Sequence, residues 1–81
     1  MNTEEKVKNI LSELSGNPVI DSRMTLQDEL ALDSLSMVAL LIEIEEAFGI
    51  ELDEADMNPY DLNTVQDVIN MVDKYRGEKN E

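Results

Sequence analysis

The residues best placed to do chemistry are Asp33 and Ser34, adjacent on the chain and immediately before a long apolar run. A serine hydroxyl becomes a catalytic nucleophile when a neighbouring base takes its proton, and the usual base is histidine. This sequence has no histidine. Asp33 cannot stand in, because consecutive residues at a helix start point in different directions. Nucleophilic catalysis at Ser34 therefore fails on chemistry. The position itself suggests another role. Aspartate is a strong helix N-cap, so Ser34 opens the helix, where free backbone N–H groups and the positive end of the helix dipole favour a phosphate. Serine is also common there as part of an ordinary capped start, so the pair alone leaves both readings open.

Other chemistries have less to stand on. The chain has no cysteine, hence no disulfide and no thiolate metal site. Glu51, Asp53, Glu54, Asp56 and Asp61 invite a calcium reading. A helix–loop–helix calcium loop needs oxygens at alternate positions, a glycine at its turn and a terminal glutamate. No glycine lies between Gly49 and Gly77, so a dedicated site is not expected, although loose divalent binding that relieves self-repulsion remains open.

The helix that must present Ser34 is predicted over about 34–48, with Gly49 just past its end and Ile50 making the hydrophobic contact that follows. At about 100° per residue, Met37, Leu40, Leu41, Ile44 and Phe48 form one apolar stripe, suited to a core. Leu35, Val38, Ala39 and Ile42 form a second stripe, with Ser34 at its N-terminal edge and Glu45 and Glu46 at the other end. A surface helix needs one apolar face. The second either docks other proteins or is buried because this helix is central to a small bundle. Periodicity allows both.

Two further helices are expected to support it. The first runs from about Thr3 to Ser15, with Val7, Ile10, Leu11 and Leu14 on one face, Asn2 and Glu5 at its start and Gly16 at its end. The last runs from about Thr64 to Arg76, with Val65, Val68, Ile69, Val72 and Tyr75 as its stripe. Thr64 or Asn63 can cap it, Gln66 or Asp67 can reach back, and Gly77 ends it. Asn58-Pro59 predicts a single short helical turn over about 59–62. Residues 16–33 form a long connection that holds Val19, Ile20, Met24, Leu26, Leu30 and Leu32. Loops that long are uncommon, and these side chains predict one pinned onto the core, with an irregular helical turn. The tail 77–81 is expected to be flexible.

Composition sets the outer bounds. With 81 residues, of which 22 are Leu, Ile or Val, the chain is expected to be one all-α domain over 1–81. The net charge is −13, and its distribution is more telling than its total. Every Lys and Arg lies before residue 24 or after residue 73, and the stretch between carries 13 acidic residues. Such a field argues against nucleic acid and against anionic membrane surfaces. It suits partners with basic patches, met quickly and weakly, although acidity also simply keeps small proteins soluble. No segment approaches the roughly 18 consecutive apolar residues of a membrane span. The acidic start Met1-Asn2-Thr3-Glu4-Glu5-Lys6 does not read as a secretory signal, so a cytoplasmic location is expected.

Three stretches resemble one family. Leu30-Ala31-Leu32-Asp33-Ser34-Leu35, the ending Glu45-Glu46-Ala47-Phe48-Gly49-Ile50, and Thr64-Val65-Gln66-Asp67-Val68 are similar to the acyl carrier proteins, the phosphopantetheine-binding carriers. The similarity covers nearly the whole chain. It implies a four-helix bundle with three main helices, one short third helix and a long first loop. It implies that a phosphopantetheinyl transferase moves a 4′-phosphopantetheine arm from coenzyme A onto Ser34. Asp33 would help position magnesium during loading. Acyl groups would ride as thioesters on the arm's own thiol, which fits a chain without cysteine. Leu35, Val38 and Ile42, with Glu45 and Glu46, match the family's partner-recognition helix. The partners implied are the transferase and the acyl-transfer and chain-elongation enzymes, met by a monomer.

The expected function is thus to hold acyl intermediates and deliver them to enzymes, with fatty acid biosynthesis as the leading pathway and no catalysis by the chain itself. The flexible aliphatic residues around and after the second helix suggest that an acyl chain withdraws near Leu40, Ile44, Ile50 and Leu52. Departures from the family pattern leave the pathway open. Ala31 stands where many members have glycine, Ser36 replaces an acidic residue, and Ala39 replaces a glutamate. A carrier for a specialised polyketide or amino-acid pathway competes, as does an acidic interaction module with no prosthetic group.

Overall fold

Helix boundaries follow from side chains within a few residues of each start. The computed structural model describes residues 2–77. Helix α1 spans Thr3–Ser15, and the Asn2 side chain accepts the Glu5 N–H at 2.8 Å. Helix α2 spans Ser34–Phe48, and Asp33 accepts the Ser36 N–H at 2.8 Å. Helix α3 spans Val65–Arg76 behind a reciprocal capping box between Thr64 and Asp67. Each bond satisfies one of the amides that a helix start leaves without an intrahelical partner. Gly16, Gly49 and Gly77 follow the three helices in the left-handed conformation.

The helices meet along their apolar stripes. Val7 and Leu11 of α1, Met37, Leu40, Leu41 and Ile44 of α2, and Val65, Val68 and Val72 of α3 are fully buried. Burying one such side chain contributes roughly 1.5–3 kcal/mol. Helix α1 packs against both α2 and α3. At one end Phe48 lies between two cations, Lys6 at 5.2 Å and Arg76 at 5.3 Å from its ring centre. Lys6 also reaches the Ala47 carbonyl at 3.5 Å, at the negative end of α2.

The loop 16–33 is built onto the start of α3. The Val65 and Gln66 N–H groups, which the helix cannot satisfy itself, donate to the carbonyls of Met24 and Ser22 at 3.0 and 2.8 Å. In return the Leu26 N–H donates to the Asn63 carbonyl at 2.8 Å, and Thr25 and Thr64 form an antiparallel bridge. Within the loop, Thr25 and Glu29 exchange hydrogen bonds between side chain and backbone, closing an irregular turn. Leu26, Leu30 and Leu32 are buried. Val19 departs from the expected pinning: it is 69% exposed. Between Leu30 and Leu32, Ala31 takes φ +55°, the single non-glycine residue with positive φ among those described.

The short turn expected over 59–62 is a 3-10 turn, α5 at Pro59–Asp61, and an unexpected second one, α4 at Glu54–Met57, precedes it. Asn58 separates them at φ −84°, ψ 109°. A residue before proline is driven out of the helical region by the proline ring, so one continuous helix through this point is disfavoured. Turn α4 is held to α3 by Tyr75, whose hydroxyl donates to Asp56 and accepts the Asp53 N–H at 2.7 Å. Turn α5 packs against α2.

Candidate functional site

Local sequence decides how Ser34 is presented. Asp33 is extended at φ −85°, ψ −178°, and its carboxylate turns onto the Ser36 N–H while its carbonyl accepts from Met37 at 2.9 Å. Ser34 is therefore the first residue of α2, and it is exposed. The hydrogen bond from the Ser36 backbone holds the Asp33 carboxyl below its ordinary range, so it is anionic beside the serine.

The Ser34 hydroxyl is not alone. Its Oγ lies 3.1 Å from the hydroxyl of Tyr60, carried by turn α5, which packs against α2. Asn58 anchors that turn by accepting the Tyr60 N–H at 3.0 Å, and the Asp61 N–H returns to the Asn58 carbonyl at 3.1 Å. Leu62, the next residue, is buried in the core. Sequence reasoning missed Tyr60. No periodicity joins positions 34 and 60, and the Asn-Pro start predicts the turn but not the direction of its tyrosine.

The second stripe of α2 faces solvent. Leu35 is 81%, Val38 40% and Ile42 45% exposed, and Ala39 is half-buried. Glu46 is exposed at the far end of the stripe. Glu45 is half-buried, and its carboxylate accepts the Leu52 N–H at 2.9 Å, tying the chain after α2 back onto the helix. An apolar strip thus runs away from Ser34 with carboxylates at its end.

Leu40 and Ile44 are fully buried, Leu52 is 6% exposed, and Ile50 packs against the same core from its margin. They meet as packed core. An open surface cleft of about 310 Å³ lies elsewhere, lined in part by Asp56, Asp61, Asp67 and Lys74. Among the described residues no group of histidine, cysteine or carboxylate side chains has the spacing to hold a metal ion. Among the same residues no helix is long and apolar enough to cross a membrane.

Comparison with known proteins assigns this arrangement. The family model described as the phosphopantetheine attachment site matches residues 5–72. An acyl carrier protein of Thermotoga maritima is 38% identical over 76 residues, covering 89% of each chain. One from Desulforapulum autotrophicum is 39% identical over 77 residues, covering 91% of this chain and 97% of its own. The crystal structure of an acyl carrier protein from Thermotoga maritima superposes with a TM-score of 0.73 at 26% identity, over 91% of this chain and 86% of that one. The chain belongs to the acyl carrier protein family: it carries acyl groups on phosphopantetheine and is not itself an enzyme.

Proposed function

We propose that the phosphopantetheine arm is joined to Ser34, and that residues 1–81 act as one carrier domain, monomeric and cytoplasmic, serving fatty acid synthesis. The observation that carries this reading is the exposed hydroxyl at the first position of α2, beside an exposed apolar and acidic helix face. The residues fit the group. A phosphodiester on Ser34 would sit at the positive end of α2, with the Asp33 carboxylate adjacent to serve a magnesium ion during loading. The arm supplies the thiol on which acyl groups ride. The pair of turns over 54–61 would take the place of the short third helix in a four-helix carrier.

Partners would meet Leu35, Val38 and Ile42 through apolar contact, and Glu45 and Glu46 through basic patches. No Lys or Arg interrupts the acidic stretch from Met24 to Asp73, so such encounters are steered by charge and weaken as salt rises. Weak, fast contacts let one carrier visit the loading transferase and then successive acyl-transfer and chain-elongation enzymes. Tethering raises the substrate's effective concentration at each of them.

The deciding experiment incubates the protein with coenzyme A, magnesium and a phosphopantetheinyl transferase and reads intact mass. One adduct, lost in Ser34→Ala, supports the assignment. An unmodified wild-type chain, or an adduct that survives in the variant, overturns it. Identifying the acyl thioester that accumulates in the native cell tests the pathway, and an aminoacyl or polyketide chain would refute fatty acid synthesis. Chain withdrawal near Leu40, Ile44, Ile50 and Leu52 predicts methyl shifts at those residues when a long-acyl form is compared with the bare arm by NMR.

A further inference from the structure

The start of α2 offers a phosphate its helix dipole and free N–H groups, but the chain around Ser34 supplies no basic side chain. Asp33 is ionised next to it, Asp61 follows Tyr60, and no Lys or Arg lies on the chain between Arg23 and Lys74. A phosphodiester here brings a further negative charge into an already negative field. It needs donors, and Asp33 has already claimed the Ser36 N–H. The Tyr60 hydroxyl lies 3.1 Å from the Ser34 oxygen. The non-bridging oxygens of a phosphoester on that atom are two bonds away, within the same reach.

We infer that Tyr60 is a positioning residue for the prosthetic group: its hydroxyl bonds the bare serine before loading and donates to a phosphate oxygen afterwards. The inference rests on attachment at Ser34. Once esterified, Ser34 has no proton to give, so the bond can persist only with Tyr60 as donor. A hydrogen bond to a charged oxygen is shorter and roughly twice as strong as a neutral one, so loading tightens the link between α5 and the start of α2. The anchors of α5, at Asn58 and buried Leu62, keep the tyrosine at this post although the residue is 67% exposed. The consequence is a root of the arm held in one orientation relative to the docking stripe, since Leu35 follows Ser34 directly.

The test uses the full-length loaded protein and the phosphorus NMR signal of the phosphodiester, which needs no partner enzyme. Tyr60→Phe keeps the ring and removes the donor. The expected result is a moved and narrower phosphorus resonance, with the loading-induced amide shifts at residues 60 and 61 reduced. Unloaded wild type and unloaded variant should agree in their core methyl shifts, which excludes a general change of fold. Replacing tyrosine by 3-fluorotyrosine strengthens the phenol as a donor and should move the phosphorus signal in the opposite sense, whereas the same labelling of Tyr60→Phe should leave it in place. A phosphorus signal identical in wild type and Tyr60→Phe overturns the inference while leaving attachment at Ser34 intact. Failure of wild type to load, by mass, overturns the attachment itself.

Discussion

The Tyr75 hydroxyl, near the end of α3, donates to the Asp56 carboxylate in the turn that follows α2 and accepts the Asp53 N–H at 2.7 Å. One phenol thus holds the start of α4 and its third residue. Removing it takes the partner from the Asp53 N–H and one bond from the Asp56 carboxylate, which keeps its contact with Lys74. Tyr75→Phe should lower stability by about 1 kcal/mol, the scale of a net hydrogen bond, read from the urea midpoint. The Lys74–Asp56 pair at 3.0 Å should matter much less, because Lys74 stays in solvent.

The same unit sets a pH window. The hydrogen bond from Tyr75, then that from Lys74, holds the Asp56 carboxyl below its ordinary value of 3.8. A carboxyl depressed in the fold contributes stability that is complete above its unfolded pKa and is lost as pH falls through the folded one. Burial, then the bond to Asp56, raises the Tyr75 phenol above 10.0, so its contribution is complete below that value and is lost as pH rises through the folded one. The stability difference between wild type and Asp56→Asn should therefore be flat from about pH 5 to 9 and shrink in stronger acid. Urea titrations of both proteins at several pH values measure it.

Ala31 should be the site of an easy gain. At φ +55° an alanine is strained by about 1–2 kcal/mol, and glycine is not. Glycine loses more entropy on folding, which offsets part of that gain. Ala31→Gly should raise stability by a net of about 0.5 kcal/mol, a few degrees in melting temperature for a domain of this size. Ala31→Val should lower it, because a branched side chain tolerates this conformation least. Thermal melts of the three proteins decide the order.

The two stripes of α2 should separate cleanly. Leu41→Ala empties a fully buried position and should cost about 2–5 kcal/mol. Leu35→Asp and Ile42→Asp fall on exposed positions and should change stability by less than about 0.5 kcal/mol. They should slow loading by the transferase, chiefly through a higher KM. Loading of the wild type should also slow as salt increases from about 50 to about 500 mM, which shortens the Debye length from about 14 to about 4 Å. Unchanged KM in both aspartate variants would remove the stripe from the docking surface.

What could be read from residues alone was local. Asn2 caps through Glu5, Asp33 through Ser36 and Thr64 through Asp67, all within a few positions, so the starts of all three helices were legible in the chain. The core stripe of α2 was legible for the same reason, since spacing along one helix places Met37, Leu40, Leu41 and Ile44 on one side whatever lies opposite. That the second stripe is open to water was not legible, because it depends on where α1, α3 and the 16–33 loop come to rest. The two-turn structure of 54–61 lay in a pre-proline restriction that composition alone does not weigh. The meeting of Ser34 with Tyr60, and of the Met24 carbonyl with the Val65 N–H, joins residues 26 and 41 positions apart. Hydrogen bonds of that span are made by folding, when packing of the apolar faces brings distant backbone together, and no spacing rule reaches so far.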